Sequence, residues 1–558
     1  MIRLLPFAAT LFCAVSGLVD AAPGSFAGDE FRINTHEAND QRVPLLASHQ
    51  SGNTLVVWQS RNQAAAGWDI FARALSASGQ AQGDEFQVNV FTGGRQDGQH
   101  LAALPEGDFV VAWNGGDRSG ASHGIHARRF TSSGMPISAD LPIGGMSEDL
   151  QILPRIAGAP NGGFLVVWEG RGIFDDTLSI HGRFMSSDGT PSGAIERISQ
   201  YQNTNQRRVD LARNADGRYM IVWQSSEQDG ESWGIFGRCL TADGDGGGEF
   251  QINQSIDGAQ SQPRVVGLGD RGFAVAWHDN AGRSSFEYRR IMLRHFDRHC
   301  DPLGDELQVN QFDEGIQDLP AIGAGPDGSH IVVWQSLPED FKLQGIYARR
   351  LDASGAFHGD PFRVSQEAEA FQDFPDVDML PDGGFYVVWE SIGQDESGFG
   401  IYGRRFDGPT AAILTAVSGG NQVTEVGRAF PEPLVVRVSD QWGQPLGGQW
   451  VQFVSQEAGA GGLFANGQPA ESATTDADGL AVVEVQANDV AGQHEVLART
   501  GEGGIEVRFQ LENRGIPALA PIAVPAASGP AWLVLVAGLL LIGLIWTKAA
   551  TAAGNRPF

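Results

Sequence analysis

Seven short apolar runs recur along the chain, each ending in tryptophan: LVVW at Trp58, VVAW at Trp113, LVVW at Trp168, MIVW at Trp223, AVAW at Trp277, IVVW at Trp334 and YVVW at Trp389. The intervals are 55, 55, 55, 54, 57 and 55 residues. A period of this size marks one supersecondary unit copied many times. Three other positions keep the beat. A glutamine precedes each tryptophan by 17 residues: Gln41, Gln96, Gln151, Gln206, Gln260, Gln317 and Gln372. An I-x-x-R motif follows each, supplying Arg73, Arg128, Arg183, Arg238, Arg294, Arg349 and Arg404. Segments such as EFRIN, EFQVN and PFRVS place Ile33, Val88, Ile143, Ile198, Ile252, Val309 or Val364 eight residues before the next glutamine.

Each repeat therefore holds four apolar segments separated by turn clusters such as PDGG, NADG and SASG. Short runs rich in Val, Ile, Phe and Trp between such clusters read as β-strands. Four antiparallel strands per unit, repeated radially, is the plan of a β-propeller blade. The expected fold is all-β: a seven-bladed propeller over 30–408. The seventh set lacks its fourth segment, and one spare copy stands at 30–34. That N-terminal strand is expected to pair beside IYGRRF at 401–406 and close the ring, which removes open sheet edges.

The repeat stops after Arg405, and residues 409–513 alternate as further strands: ILTAV, PLVVRVSDQ, WVQFVSQ, LAVVEVQA, HEVLAR and IEVRFQL. Roughly seven short strands in about 100 residues suggest a sandwich of the immunoglobulin class. The segments GNQVTEVGRAFPEPLVVRVSDQWGQPLGGQWVQF at 420–453, TTDADGLAVVEV at 474–485 and AGQHEVLA at 491–498 resemble bacterial Ig-like domains of the invasin and intimin type. That resemblance implies a stalk. The propeller repeats are similar in style to those of bacterial exported proteins, which implies no particular activity.

The two ends carry apolar segments. Residues 1–21, with Arg3 ahead of LLPFAATLFCAVSGLV and V-D-A before Ala22, read as a signal peptide. Residues 514–530 form a proline-rich linker, a semi-rigid spacer. The uncharged run AWLVLVAGLLLIGLIW at 531–546, extended by Thr547, reads as a transmembrane helix over 531–547. Lys548 and Arg556 then place the tail, 548–558, in the cytoplasm.

Formal net charge is −29, which disfavours phosphate backbones and makes nucleic acid an unexpected partner. Acidic residues concentrate in the loops expected on one propeller face: Glu37, Asp40, Asp97, Glu148, Asp149, Asp175, Asp176, Asp229, Glu231, Asp313, Glu314, Glu339, Asp340, Glu367, Glu369, Asp395 and Glu396. Such a face solubilises an exported protein; it also suits calcium, although no calcium-loop motif is present. No metal ligand is assigned.

No G-x-S-x-G, H-E-x-x-H or C-x-x-C signature occurs, nor do the S-x-D-x-G-x-T-W boxes of propeller sialidases. The sequence assigns no catalytic and no cofactor-binding residue. Residues repeated in every blade are expected to bond neighbouring blades, since an active site is one asymmetric constellation. Blade 5 breaks the pattern, with two extra residues before Ile291 and a concentration of His278, Asp279, Arg289, Arg290, His295, His299 and Cys300. Export permits a disulfide between Cys239 and Cys300. Their registers differ by five residues, so both are expected to be unpaired. The expected function is a membrane-tethered binding or adhesion protein with a surface glycan or protein as ligand, the head a propeller and the stalk Ig-like. The alternative is a propeller-fold glycan hydrolase or lyase; carboxylates paired about 5–10 Å apart in one pocket would favour a glycosidase.

Overall fold

A computed structural model describes residues 28–517, except 117–122, 146–149, 173–175, 203, 281–287, 312–314, 338–344, 369, 395–397, 442 and 502–503. The expected signal peptide at 1–21, membrane helix at 531–547 and cytoplasmic tail at 548–558 lie outside the described residues. Among the described residues there is one 3-10 turn, Gly269–Arg271, and no helix long and apolar enough to cross a membrane.

These residues divide into two compact units. The first runs to Thr415 and includes Arg437–Gln449 and Thr474–Leu480; the second takes the remainder from Ala416. The first contains seven four-stranded antiparallel sheets in a propeller-like arrangement. They are numbered as blades 1 to 7, covering 41–87, 96–142, 150–197, 206–251, 260–308, 316–363 and 371–406. The first strand of each blade lies beside the first strand of the next. Gln41–Ser48 of blade 1 lies beside Phe371–Met379 of blade 7, so the sequence of neighbours is closed. The fourth strand of blade 7 is Phe31–Arg32, antiparallel to Phe399–Phe406, with Phe31 opposite Gly403 and Arg32 opposite Tyr402.

The four repeated markers account for this arrangement. Every repeat tryptophan is buried, from 0% exposed to 2% at Trp334, within clusters shared by consecutive blades. The apolar centre of the fourth segment donates its N–H to the carbonyl of the I-x-x-R isoleucine in all seven blades, from Ile33 to Ile401 through Val364 to Ile346, at 2.7–2.8 Å. The arginine of that motif reaches backwards. Its Nη1 donates to the carbonyl of the same apolar centre in the preceding blade: Arg73 to Ile33, Arg128 to Val88, Arg183 to Ile143, Arg238 to Ile198, Arg294 to Ile252, Arg349 to Val309 and Arg404 to Val364, at 2.7–3.1 Å. A charged donor on a part-buried carbonyl contributes about 1.5–3 kcal/mol. The glutamines are buried and tie down the loop leading into their own strand, as where Gln41 Nε2 donates to Ala38 O at 2.9 Å and Oε1 accepts from Asn34 at 3.0 Å.

The C-terminal strands form sheets of three, five and two strands. Ten strands are described after Phe406, from Ala411–Ser418 to Glu506–Arg514, against the roughly seven expected. Short strands absent from the sequence reading, such as Gln422–Glu425 running parallel to Glu506–Arg514, make the difference. The turns at Asp440–Gly443 and Asp476–Gly479 each close on a 3.0 Å hydrogen bond, with glycine at φ +82° and +71°.

The cysteines require a correction. Cys239 and Cys300 form a disulfide, with Cα atoms 6.5 Å apart. Cys239 is the penultimate residue of a third strand, Trp233–Leu240. Cys300 follows the next blade's third strand, in a turn where its own φ of +72° folds the chain back. That turn absorbs the five-residue offset, and both side chains enter one apolar cluster between blades 4 and 5.

Candidate functional site

The first strand of every blade begins with the same irregularity. Pairing with the second strand slips between the first and fourth residues after the glutamine, for example between Arg42 and Leu45 and between Arg207 and Asp210. In each blade the second residue after the glutamine has a positive φ: Val43 +53°, Gly98 +62°, Leu153 +51°, Arg208 +55°, Gln262 +56°, Leu319 +50° and Phe374 +49°. Six of the seven carry a Cβ, at roughly 1–2 kcal/mol each for the left-handed region. Strain of this kind persists only where its surroundings enforce it, and it clusters at functional sites.

The enforcing groups are visible. In four blades the residue after the tryptophan accepts the bulge N–H of the next blade. Glu390 accepts from Val43 at 2.7 Å, Asn114 from Leu153 at 3.0 Å, Glu169 from Arg208 at 2.6 Å and Gln224 from Gln262 at 3.1 Å. Leu319 and Phe374 donate instead to the preceding aspartates, Asp318 and Asp373, each at 2.8 Å.

All seven bulge residues line one cavity of about 320 Å³. It lies at the end of the inner strands where the fourth-to-first loops enter. Charge reaches it from Arg95, Asp97, Arg155, Arg208 and Arg264. Arg155 and Arg264 are the fourth residues after their glutamines, and that layer is where the sevenfold pattern breaks: Leu45, His100, Arg155, Asp210, Arg264, Ala321, Asp376. Three of these accept main-chain N–H groups from the next inner strand. His100 Nδ1 takes Ile156 at 3.2 Å, Asp210 takes Val265 at 3.0 Å and Asp376 takes Leu46 at 2.9 Å. Neighbouring first strands do not form a ladder with one another, so these side chains satisfy donors that would otherwise be orphaned. One layer further along, Asp378 accepts from Ser48 at 2.7 Å.

Burial dominates the electrostatics of this layer. It pushes the carboxyls of Asp376 and Asp378 up to about 7, against the lowering effect of their main-chain bonds. It pushes Arg155 down to about 10, assisted by the like charge of Arg264, and holds His100 well below the usual imidazole range, assisted by Arg155 and Arg264. Arg208 is lowered by burial, with Arg264 and Arg207 adding repulsion. Asp373, directly across the blade 7 sheet from Glu390, is raised to about 6 by burial and by the Glu390 charge.

The residues singled out in blade 5 do not form one site. His278 and Arg289 both contact the Asp318 carboxylate, beside the cavity residue Leu319. Arg290 pairs with Asp279 at 2.5 Å. His295 lies at the other end of its strand, with its Nε2 2.9 Å from that of His330. His330 is pushed down to about 4 by burial and by His295. His299 meets Arg298 at 3.2 Å, and Cys300 is in the disulfide. Of the seventeen loop acids, ten lie outside the described residues. Among the others, Glu37, Asp40 and Asp97 face Arg32, Arg61 and Arg95. Among the described residues no group of three or more His, Cys, Asp or Glu side chains is placed to hold a metal ion.

The inner-strand constellation escaped the sequence reading. Its only signal is that the fourth position after each glutamine changes character from blade to blade, while the apolar positions around it do not.

No protein-family model matches the chain, and no curated protein does. Solved structures do. A protein of unknown function from Dyadobacter fermentans is similar at 12% identity, covering 69% of this chain and 99% of its own, with a TM-score of 0.44. An ulvan lyase, solved bound to a GlcA–Rha3S unit, is similar at 10% identity, covering 68% and 96%, with a TM-score of 0.47. A Hadza microbial sialidase is similar at 11% identity, covering 66% of both chains, with a TM-score of 0.39. Likenesses at this level assign neither activity nor substrate. The described residues define an all-β repeat protein of propeller-like sheets with a cavity at the convergence of its inner strands.

Proposed function

We propose that this is an exported, membrane-tethered glycan-recognising protein, and that the cavity among the inner strands is its ligand site. The observation that carries the reading is the convergence of all seven strained bulges on one cavity, at the layer where the repeat ceases to be symmetric. A cavity of about 320 Å³ suits a sugar-sized ligand. Its wall mixes apolar Leu45, Leu153 and Phe374 with the amides of Gln59, Asn114 and Gln262, a combination suited to a sugar's C–H faces and hydroxyls. The leader at 1–21, the Ig-like stalk over 409–513 and the helix at 531–547 belong to the same proposal, as does a calcium ion among the loop acids. An array of neutral and acidic glycans probed with the purified chain tests it: retention should fall on Phe374→Ala, and retention unchanged by that substitution would place the ligand elsewhere.

The second reading is glycan cleavage. Asp373 and Glu390 are cross-strand neighbours next to Phe374, and the Asp373 carboxyl sits at about 6, suited to a general acid. Against this, Glu390 is fully buried and occupied, accepting two bonds from Arg42, at 3.0 and 2.6 Å, and one from Val43. A hydrolysis screen with wild type and Asp373→Asn separates the readings. Turnover abolished by the substitution supports the enzyme; no turnover on any glycan the array retains supports recognition alone.

A further inference from the structure

Arg155, Arg208 and Arg264 come from three consecutive blades and line one cavity. The chain as a whole has 67 acidic residues against 38 lysines and arginines, so a convergence of cations at its centre runs against composition. The nearby carboxylates are already shared. Asp210 lies 3.6 Å from Arg155 and also accepts the Val265 N–H. Glu169 lies 3.6 Å from Arg207 and accepts the Arg208 main-chain N–H. These two carboxylates, each bound to a main-chain donor, face a sector holding Arg155, Arg207, Arg208 and Arg264; Asp376, bound to the Leu46 N–H, also acts on Arg264, and Asp318, contacted by His278 and Arg289, acts on Arg208.

We infer that the cavity takes an anionic group, and that the ligand is an acidic sugar whose carboxylate lies among Arg155, Arg208 and Arg264. A guanidinium presents a planar fork of donors that matches a carboxylate edge, and such bonds are shorter and stronger than neutral ones. Burial, with the like charge of Arg264 added to it, holds Arg155 and Arg208 below the usual guanidinium range, and an anion entering the cavity offsets both effects. Among the described loop acids, Glu37, Asp40 and Asp97 are each matched by an arginine of their own. The inference rests on the reading of this cavity as the ligand site.

The test uses the full chain and two probes that differ only at C6, D-glucuronate and D-glucose, titrated calorimetrically at low salt. Glucuronate is expected to bind at least about tenfold more tightly than glucose, a difference that one charge-assisted contact supplies. Arg264→Gln and Arg155→Gln should each remove that preference. Arg208→Gln, away from the Asp210 pair, serves as the second variant should either fail to fold. Arg61→Gln, on the rim, should leave binding unchanged. Glucose bound as tightly as glucuronate, with loss on Phe374→Ala, would overturn the anionic inference and leave the site standing. Glucuronate binding indifferent to all three cavity arginines would overturn the inference by moving the acid elsewhere. No heat with glucuronate, glucose or sodium sulfate would overturn the site reading as well.

Discussion

Arg73 donates through Nη1 to the main-chain carbonyl of Ile33 at 2.8 Å, tying the third strand of blade 1 to the N-terminal segment that completes blade 7. Arg404, in the third strand of blade 7, reaches the N-terminal segment as well, with Nε on Gly28 O at 3.1 Å, while its Nη1 holds Val364 O of blade 6 at 2.9 Å. Arg73→Ala and Arg404→Ala should each destabilise the propeller-like unit by about 1.5–3 kcal/mol. Deleting residues 28–34 should cost more than either, because it leaves Phe399–Phe406 as an open edge. Denaturant midpoints measure this; a deletion no worse than Arg73→Ala would show that the N-terminal strand is dispensable.

Asp376 and Asp378 make stability depend on pH with a definite sign. Both folded-state values lie near 7, above the ordinary aspartate range. Between about pH 4 and 7 the folded chain therefore holds protons that the unfolded chain has released, so these groups lower stability as pH rises through that window. Asp376→Asn keeps a carbonyl to accept the Leu46 N–H and removes the titration. It should flatten the slope and leave the variant at least as stable as wild type at pH 8. A variant less stable at pH 8 with an unchanged slope would contradict this.

The disulfide closes a span of 61 residues between consecutive blades. Cys239→Ser with Cys300→Ser should lower stability by about 2–5 kcal/mol. Wild type denatured in a thiol reductant should match the variant. Coincident oxidised and reduced curves would mean that the bond contributes nothing to stability.

Gly98 is the one glycine among the seven bulge residues, and a Cβ there would collide with the Asn114 amide oxygen. Gly98→Leu should therefore destabilise by more than about 1–2 kcal/mol, although Leu153 and Leu319 occupy the matching positions in other blades. A tolerated substitution would show that Asn114 is free to move, despite its bond to Leu153.

The fold was legible because the markers that define it face other blades. Trp58 and its equivalents and the I-x-x-R arginines must meet the same kind of neighbour seven times, and the buried glutamines must fix the same entering loop seven times, so the sequence repeats them. The candidate site was not legible for the same reason. Arg155 and Arg264 line the central cavity, and Asp210 and Asp376 bond the next inner strand; no copy of this layer is constrained to match another, and each residue looks like drift within its own repeat. The positive φ at Val43 and Leu153 has no side-chain signature, since the residues that enforce it, Glu390 and Asn114, stand far away in sequence. His278 to Cys300 drew attention as a cluster along the chain; strand alternation and a turn send its members to opposite ends of one blade.

Hydrogen exchange measured by mass spectrometry on the full chain, with and without saturating D-glucuronate, tests the central claim most directly. The expected result is protection confined to the beginnings of the inner strands, at 95–100, 151–155, 206–210 and 260–264, with the outer strands and residues 411–517 unchanged. Protection at the loop tips or in the C-terminal strands, with those four segments unchanged, would contradict it.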